Sequence, residues 1–344
     1  MGMKAMILNS IVDLNSKSDP LEMHDIPKPV PADNEVLIKV LSCGVCHTEL
    51  DEIEGRTPPP KFPVVPGHQV VGLVESTGSK VTKLKPGERV GVAWIYSSCG
   101  KCSFCLSERE NLCPEFRATG RDINGGYAEY MTVQESFAYQ IPLLFTNSQA
   151  APLLCAGAVG YRSLILSGLK NGSNLGFTGF GASAHLVLQI VQYMFPNTKA
   201  YVFARSEEER LFAHELGAYW TGNTTDKAPD KLECIIDTTP VWKPVIEALG
   251  NLEPGGRLVI NAIRKEESDK DQLSKLDFST HLWMEKEIKT VANVTRRDVT
   301  EFLRLAAEIP ILPEIQEYRL DEANIALMEL KKRKIRGAKV LMID

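Results

Sequence analysis

The chain has 344 residues, of which 44% are hydrophobic and 24% are charged, which is typical of a globular protein with room for two domains. Its formal net charge of −5 gives no reason to expect nucleic acid or an anionic membrane as a partner. Eight cysteines, with no convincing signal sequence and no apolar run near the ~18 residues of a membrane span, indicate metal binding in a reducing cytoplasm rather than disulfides.

The first part of the chain, to about residue 150, is predicted to be rich in β-strands. Short apolar stretches at 36–41, 70–75 and 89–93 are separated by turns that contain glycine and proline, such as 85–88. The three prolines at 58–60 exclude a helix or a central strand at that point, so they are expected to lie in a loop.

A different pattern begins near residue 150. An apolar helix is predicted over 150–169, and strand and helix patterns then alternate from 174 to 294, which favours a parallel sheet with crossover helices. Helices at 298–308 and 321–332 and a strand at 338–343 follow, and the pattern alone does not assign them to either domain. The charged stretch 264–275 is expected to be a solvated loop or helix face.

Four cysteines lie within fifteen residues, at Cys99, Cys102, Cys105 and Cys113. Four thiolates satisfy a tetrahedral zinc ion and leave no ligand position open, which is typical of a structural zinc site. An iron–sulfur cluster and four ordinary thiols are the alternatives, and the spacing favours zinc.

The stretch 174–184 combines an apolar strand, a glycine-rich turn and the start of a helix. Gly179 and Gly181 hold the first two positions of a G-x-G-x-x-G/A fingerprint, and Ala184 holds the third. The glycines allow a tight turn, and the helix N-terminus around Ala182 and Ser183 offers N–H groups to a pyrophosphate. We therefore expect a dinucleotide site here.

The residue that meets the adenine ribose is expected just after the next strand, 200–203. The sequence has Ala204, Arg205 and Ser206 there, rather than a carboxylate that would repel a 2′-phosphate. Because a guanidinium and a hydroxyl can accept that phosphate, the sequence favours NADP(H) over NAD(H). The alternative is that Arg205 is a solvated surface charge.

A thiolate, an imidazole and a hydroxyl stand side by side at Cys46, His47 and Thr48. Thiolate and imidazole are the usual ligands of zinc, and a hydroxyl beside them can carry a proton. Taken alone, a cysteine near a strand end is more often a buried apolar residue, which is the interpretation we give Cys43.

These motifs occur together, in this order, in one family. The chain resembles the zinc-dependent medium-chain alcohol dehydrogenases, most closely their cinnamyl-alcohol-dehydrogenase-like bacterial branch. The resemblance implies an α/β protein with a GroES-like β-rich catalytic domain at 1–155 and 295–344 and a Rossmann doubly wound parallel sheet at 156–294. The matching motifs are Cys46-His47-Thr48, Pro66-Gly67-His68, Gly87-Glu88-Arg89-Val90-Gly91, the four cysteines, Gly125-Gly126-Tyr127-Ala128-Glu129-Tyr130, Ala151-Pro152-Leu153-Leu154-Cys155-Ala156-Gly157 and the turn from Gly179 to Ala184.

The resemblance also implies a second, catalytic zinc held by Cys46, His68 and Cys155, with the fourth position open for substrate. By the same resemblance, Thr48 passes the alcohol proton outward and His47 contacts the cofactor pyrophosphate. The active cleft is expected between the two domains, and a homo-dimer or homo-tetramer is the expected assembly.

Three positions depart from the family's common pattern. Glu49 stands where an aspartate usually orients the ligand histidine, and we expect it to keep that role. Gln69 replaces a glutamate, so an alternate anionic ligand is missing. Asp51 replaces a histidine, and the proton is expected to leave either through Asp51 or directly to water.

The sequence therefore predicts an NADP(H)-dependent alcohol dehydrogenase for primary aliphatic or aromatic alcohols and aldehydes. Trp94 resembles the aromatic residue that lines the substrate pocket of the family. The alternatives are an NAD-preferring alcohol or polyol dehydrogenase, a catalytically silent nucleotide-binding relative, and an iron–sulfur redox carrier. Cys155 argues against a polyol enzyme, in which a carboxylate often takes that ligand position.

Overall fold

The computed structural model describes residues 2–332 and 337–343. The strands are β1 (Gly2–Leu8), β2 (Leu21–Pro27), β3 (Glu35–Val45), β4 (Val70–Thr77), β5 (Arg89–Val92), β6 (Ile95–Ser97), β7 (Arg117–Ala118), β8 (Tyr130–Gln134), β9 (Ala138–Gln140), β10 (Asn174–Thr178), β11 (Lys199–Phe203), β12 (Trp220–Gly222), β13 (Leu232–Asp237), β14 (Leu252–Ile260), β15 (Glu287–Thr290), β16 (Ile315–Arg319) and β17 (Ala338–Met342). The α-helices are α1 (His47–Ile53), α2 (Ser103–Leu106), α3 (Asn147–Pro152), α4 (Ala158–Ser167), α5 (Ala184–Met194), α6 (Glu207–Glu215), α7 (Lys243–Asn251), α8 (Arg296–Glu308) and α9 (Ala323–Lys331).

The chain divides into two compact units. The first unit comprises Met1–Cys155 and Val294–Asp344, and the second comprises Ala156–Asn293. Residues 1, 333–336 and 344, which the predicted catalytic domain includes, lie outside the described residues.

The first unit is organised around β3. Its seven-stranded sheet has the order β16-β17-β3-β4-β5-β9, with β8 also paired to β3. β17 runs antiparallel to β3, with Lys339 opposite Val45, so the C-terminal segment completes the sheet of the first unit. The core of this unit accordingly joins side chains from both chain segments, such as Ile38 of β3, Leu327 of α9 and Leu341 of β17.

The second unit contains a parallel six-stranded sheet with the order β12-β11-β10-β13-β14-β15. Its central strands β10 and β13 are buried on both faces, as expected where crossover helices cover a parallel sheet. β10 has β11 on one side and β13 on the other, so the strand order reverses between β10 and β13. At that point Thr178 pairs with both Phe203 and Asp237, which brings the carboxyl ends of three strands together. This sheet confirms the predicted doubly wound arrangement.

The apolar segment predicted as one helix over 150–169 has an interruption. α3 is followed by a π-helical turn, Leu153–Gly157, and only then by α4. α4 ends where Gly168 adopts the left-handed conformation at φ 70°. The π turn matters for the site because it contains Cys155.

The same segment, Asn147–Ser167, is long and apolar enough to span a membrane by length and composition, with a mean hydropathy of 1.3. However, 67% of its most apolar 18-residue stretch is buried inside the protein. A buried core helix passes this test as readily as a membrane span, so the segment is weak evidence for a membrane.

Candidate metal centres and dinucleotide site

Cys46 lies at the N-terminus of α1, directly after β3. Its Sγ accepts a hydrogen bond from the Thr48 backbone N–H at 3.3 Å, and its own N–H donates to Glu49 Oε2 at 2.9 Å. This reciprocal capping box replaces the usual serine or threonine with a cysteine. The thiol is thus fixed by the local sequence Cys-His-Thr-Glu.

His68 is held in place from the opposite side of its ring. Its Nδ1 lies 2.5 Å from Glu49 Oε1, and both side chains are fully buried. One carboxylate oxygen of Glu49 therefore accepts from the Cys46 N–H, and the other contacts the His68 ring. The preceding Gly67 has φ 98°, and a Cβ there would lie 2.4 Å from the Tyr127 ring. Only glycine fits this approach.

The π-helical turn places Cys155 next to His68. The His68 Nε2 atom lies 3.4 Å from Cys155 Sγ and 3.8 Å from Cys46 Sγ, and the three ligand atoms are all within 4.8 Å of one another. In a tetrahedral zinc site with typical bond lengths, ligand atoms lie ~3.5–3.8 Å apart. The predicted trio therefore has the spacing of a zinc site with three protein ligands.

Burial and neighbouring groups shift the pKa values of His68 and Cys46. Burial alone would lower the pKa of His68, but Glu49 and Cys46 outweigh it and raise that pKa well above its usual value. The hydrogen bond with Cys155 and burial raise the pKa of Cys46 well above its usual value. Because a metal binds thiolates and neutral imidazole, it must displace these protons, and its affinity rises with pH.

The four cysteines of residues 99–113 converge in the same way. Their sulfur atoms lie within 4.8 Å of one another, and Cys99 Sγ is 3.8 Å from Cys105 Sγ, close to the ~3.8 Å edge of a tetrahedral zinc–thiolate site. Backbone N–H groups of Lys101 and Cys102 point at Cys99 and lower its pKa to about 6, whereas burial raises the pKa of Cys113 to about 11. Four sulfur atoms leave no ligand position open.

The glycine turn joins β10 to α5 in the second unit. Gly179 has φ 76°, and a Cβ added at Gly181 would meet no atom within 4 Å. Gly181 and Ala182 are exposed, and Ser183, at the N-cap of α5, makes no side-chain cap. The exposed backbone at Gly181 and Ala182, at the start of α5, is where the predicted pyrophosphate would lie.

The turn after β11 contains the residues that are predicted to meet the adenine ribose. Ala204 is buried, whereas Arg205 and Ser206 are exposed, and Ser206 is the N-cap of α6. A residue that the sequence reasoning missed adds to this turn. Arg210 donates from Nη1 to the Ala204 carbonyl at 2.7 Å and to the Arg205 carbonyl at 3.0 Å. Its position in α6, five residues after Arg205, is the signal that could have identified it.

The remaining predicted residues of the first unit have distinct surroundings. His47 is exposed and Thr48 is half-buried, at the first two positions of α1. Trp94 is nearly buried, with its ring 5.3 Å from the ring of Phe116 and the Arg121 guanidinium 5.5 Å away. The indole of Trp94 therefore packs against Phe116 and Arg121.

Two of the atypical positions, Asp51 and Gln69, are buried. Asp51 lies 2.6 Å from Arg56 Nε in an ion pair, so it does not have the surroundings of a free proton acceptor. Gln69 is buried against β3, where its backbone carbonyl accepts from the Gly44 N–H at 2.9 Å.

The prediction that 264–275 is solvated is wrong for one residue. Lys265 has only 8% of its side chain exposed and forms an ion pair with the fully buried Asp237. A second residue without a sequence signal is Glu52, which is buried on α1 with no hydrogen-bond partner at Oε1.

Residues 32–143 match the family described as the alcohol dehydrogenase GroES-like domain. The chain is 40% identical over 329 residues to a probable alcohol dehydrogenase, AdhA, of Mycobacterium tuberculosis, which covers 94% of this chain and 93% of the relative. It is 32% identical over 316 residues to a probable cinnamyl alcohol dehydrogenase 1 of Eucalyptus gunnii, covering 88% and 86%. The solved cinnamyl alcohol dehydrogenase SbCAD4 of Sorghum bicolor has a TM-score of 0.83 at 26% identity, covering 99% and 98%.

These similarities extend over nearly the whole chain and include both the GroES-like residues and the parallel sheet, so they confirm the predicted fold and the predicted resemblance. The chain belongs to the zinc-dependent medium-chain alcohol dehydrogenase family, which includes the cinnamyl alcohol dehydrogenases.

Proposed function

We propose that this protein is a zinc-dependent alcohol dehydrogenase that transfers hydride between a primary alcohol or aldehyde and NADP(H), with two zinc ions per chain. The convergence of Cys46, His68 and Cys155 is the observation that supports it most strongly. A trio of ligands leaves a fourth position for substrate, which is what a catalytic zinc needs and the four-thiol site lacks.

Zinc in the three-ligand site supplies Lewis acidity, which lowers the pKa of an alcohol hydroxyl and polarises an aldehyde carbonyl. Glu49 orients His68 through its 2.5 Å contact and holds the Cys46 N–H at the same time. Thr48, two residues from Cys46 on α1, carries the alcohol proton away through its hydroxyl. Because Asp51 is held by Arg56, we assign the exit of this proton to water.

The four cysteines of residues 99–113 take the second zinc, which has a structural role. Closed thiolate sites of this kind contribute folding energy rather than chemistry. Removal of this metal is therefore expected to destabilise residues 99–113, whereas removal of the other metal stops turnover.

The cofactor is held by the glycine turn at Gly179 and Gly181 and by the N–H groups of Ala182 and Ser183. His47 contributes a contact to its pyrophosphate. The preference for NADP(H) rests on two features of the turn after β11. Two guanidinium groups, those of Arg205 and Arg210, lie within six residues of each other and can bind a 2′-phosphate. In addition, Ala204 stands where a carboxylate would repel that phosphate.

The cofactor preference is tested by measuring the dissociation constants of NADPH and NADH for Arg205→Gln and Arg210→Gln. Each loss of a charge-assisted hydrogen bond is expected to weaken NADPH about tenfold or more and to leave NADH within about twofold. Glu208→Gln is the control with the opposite charge, because removing an exposed carboxylate from the same turn should not weaken NADPH. Equal losses for both cofactors would contradict a 2′-phosphate site.

The reaction itself is tested by initial rates with benzyl alcohol or butanol and either NADP or NAD, before and after zinc is stripped. Zinc-dependent turnover that prefers NADP supports the proposal. Zinc-dependent turnover that prefers NAD would support the alcohol dehydrogenase activity but contradict the 2′-phosphate site. A preference for glycerol or sorbitol would indicate a polyol dehydrogenase. No turnover with zinc bound indicates a silent nucleotide-binding relative.

We also propose a homo-dimer formed through β15. This edge strand is exposed along its whole length, and the apolar Phe278, Trp283, Met284 and Ile288 are about half exposed beside or within it. Such an edge is a ready template for pairing with a second copy. Trp283→Glu should therefore give monomers in sedimentation velocity, whereas Tyr193→Glu, at another exposed aromatic position of the second unit, should not. A cytoplasmic location fits this proposal, because six of the eight cysteines belong to the two zinc sites and must stay reduced to bind metal.

A further inference from the structure

A buried ion pair lies at the carboxyl edge of the parallel sheet in the second unit. Asp237, the last residue of β13, is fully buried, and its Oδ2 atom accepts from Lys265 Nζ. The other oxygen accepts from the hydroxyls of Thr178, at 2.6 Å, and Thr239, at 2.7 Å. Asp237 thus joins the end of β10 to the segment that follows β13.

Lys265 holds the same segment by its backbone. Besides Asp237, its ammonium donates to the carbonyl of Thr239 at 2.7 Å and to that of Val241 at 3.2 Å. All three of its N–H donors therefore have acceptors, and residues 238–241 are fixed from two directions.

Residues 238–241 contact the glycine turn directly. The Thr238 backbone N–H and hydroxyl both donate to the Thr178 carbonyl at 3.0 Å. A Cβ on Gly179 would lie 3.0 Å from Thr238 Oγ1 and 3.0 Å from Thr239 Cγ2. Any shift of residues 238–241 is thereby transmitted to the turn.

This cluster occupies the place where doubly wound sheets bind their ligands. Thr178 and Asp237 are paired across β10 and β13, between which the strand order reverses. A buried carboxylate at this point would repel an anionic dinucleotide unless a cation neutralised it. Lys265 supplies that cation from the segment after β14.

We propose that Lys265, acting through Asp237, is a positioning residue for the nicotinamide half of the bound dinucleotide. The strands β10 to β12 form the half of the sheet whose turn after β11 faces the adenosine, so β13 to β15, with Asp237 and Lys265, form the half that faces the nicotinamide. This inference rests on the proposed dinucleotide site and is independent of the zinc chemistry.

The test compares the whole cofactor with its adenosine half on the full-length protein. Whichever of NADPH and NADH binds the parent more tightly is titrated by fluorescence, together with 2′,5′-ADP or 5′-AMP as the matching half. The variants are Lys265→Met, which removes the charge at similar length, Lys265→Arg, which keeps it, and the double variant Lys265→Met/Asp237→Asn, which removes both charges. Thermal unfolding confirms that each variant is folded.

Lys265→Met is expected to weaken binding of the whole cofactor about tenfold or more, because it leaves Asp237 unpaired beside the second phosphate and the nicotinamide riboside. The adenosine half lacks both groups, so its affinity should change by no more than about twofold. Lys265→Arg and the double variant should each bind the whole cofactor within about threefold of the parent. Parental affinity of Lys265→Met, or an equal loss for the whole cofactor and the half, overturns the positioning role. If the parent binds neither dinucleotide, the proposed site itself is wrong, and this inference falls with it.

Discussion

Glu49 offers the sharpest test of the metal centre, because one buried side chain serves two ligands. Its oxygens lie 2.9 Å from the Cys46 N–H and 2.5 Å from His68 Nδ1. In Glu49→Gln the amide oxygen can still accept from Cys46, but the amide NH₂ then faces the ring N–H of His68, donor against donor. The substitution therefore removes one hydrogen bond to a charged group, worth about 1.5–3 kcal/mol.

That loss corresponds to about 10–100-fold weaker zinc binding at the three-ligand site. The assay is competition with a chromogenic chelator, which follows the two zinc ions of each chain separately when their affinities differ. Glu49 is not part of the four-cysteine site, so the zinc at that site serves as the internal reference. We expect one zinc to be lost early from Glu49→Gln and the other to be retained as in the parent.

Glu52→Gln is the matched control on the same helix. Burial, followed by the nearby Glu49, raises the pKa of Glu52 well above its usual value, which favours its neutral carboxylic acid form. Replacing it with the similarly shaped amide should leave zinc affinity within about threefold of the parent. The reasoning fails if Glu49→Gln keeps both zinc ions with parental affinity, or if the two variants lose zinc equally.

Three further predictions concern stability and reactivity. Gly67→Ala should destabilise the fold by about 3 kcal/mol or more, because its Cβ overlaps Tyr127, whereas Gly87→Ala, with φ 90° and open space, should lose only about 1–2 kcal/mol in urea unfolding. Lys339→Met should cost about 2 kcal/mol in the same assay, since the buried ammonium donates to three side chains, and an unchanged midpoint would contradict this. Burial raises the pKa of Cys234 to about 11, so about 0.1% is thiolate at pH 8, and iodoacetamide should label it only after unfolding, as peptide mapping would detect.

The cysteine lobe of residues 99–113 was the part of the site most accessible from the sequence, because its four thiols are close in the chain and must therefore be close in space. Cys155 is the opposite case. It lies 87 residues from His68, and only the family resemblance joined the two. The π-helical turn that brings them together changes one turn of hydrogen bonding inside an apolar helix, and hydrophobic periodicity does not register such a change.

Charged residues at the carboxyl edge of the parallel sheet were harder to predict. Lys265 stands in a run of acidic and basic residues, and such runs are normally solvated. Its burial depends on Asp237, 28 residues earlier, and on carbonyls of the intervening loop. A pattern of residue types describes the local environment, whereas this ion pair is a tertiary contact between the end of β13 and the segment that follows β14.

The position of β17 has a consequence for protein synthesis. β17 lies between β16 and β3 in the sheet of the first unit, so this sheet is complete only when the C-terminal segment has left the ribosome. The second unit, Ala156–Asn293, is continuous and emerges entirely before that segment. Domains usually fold in the order of their synthesis, and here we expect the reverse. Although Cys46, His68 and Cys155 are all made in the first half of translation, the sheet that carries β3 and the adjoining metal centre is finished last.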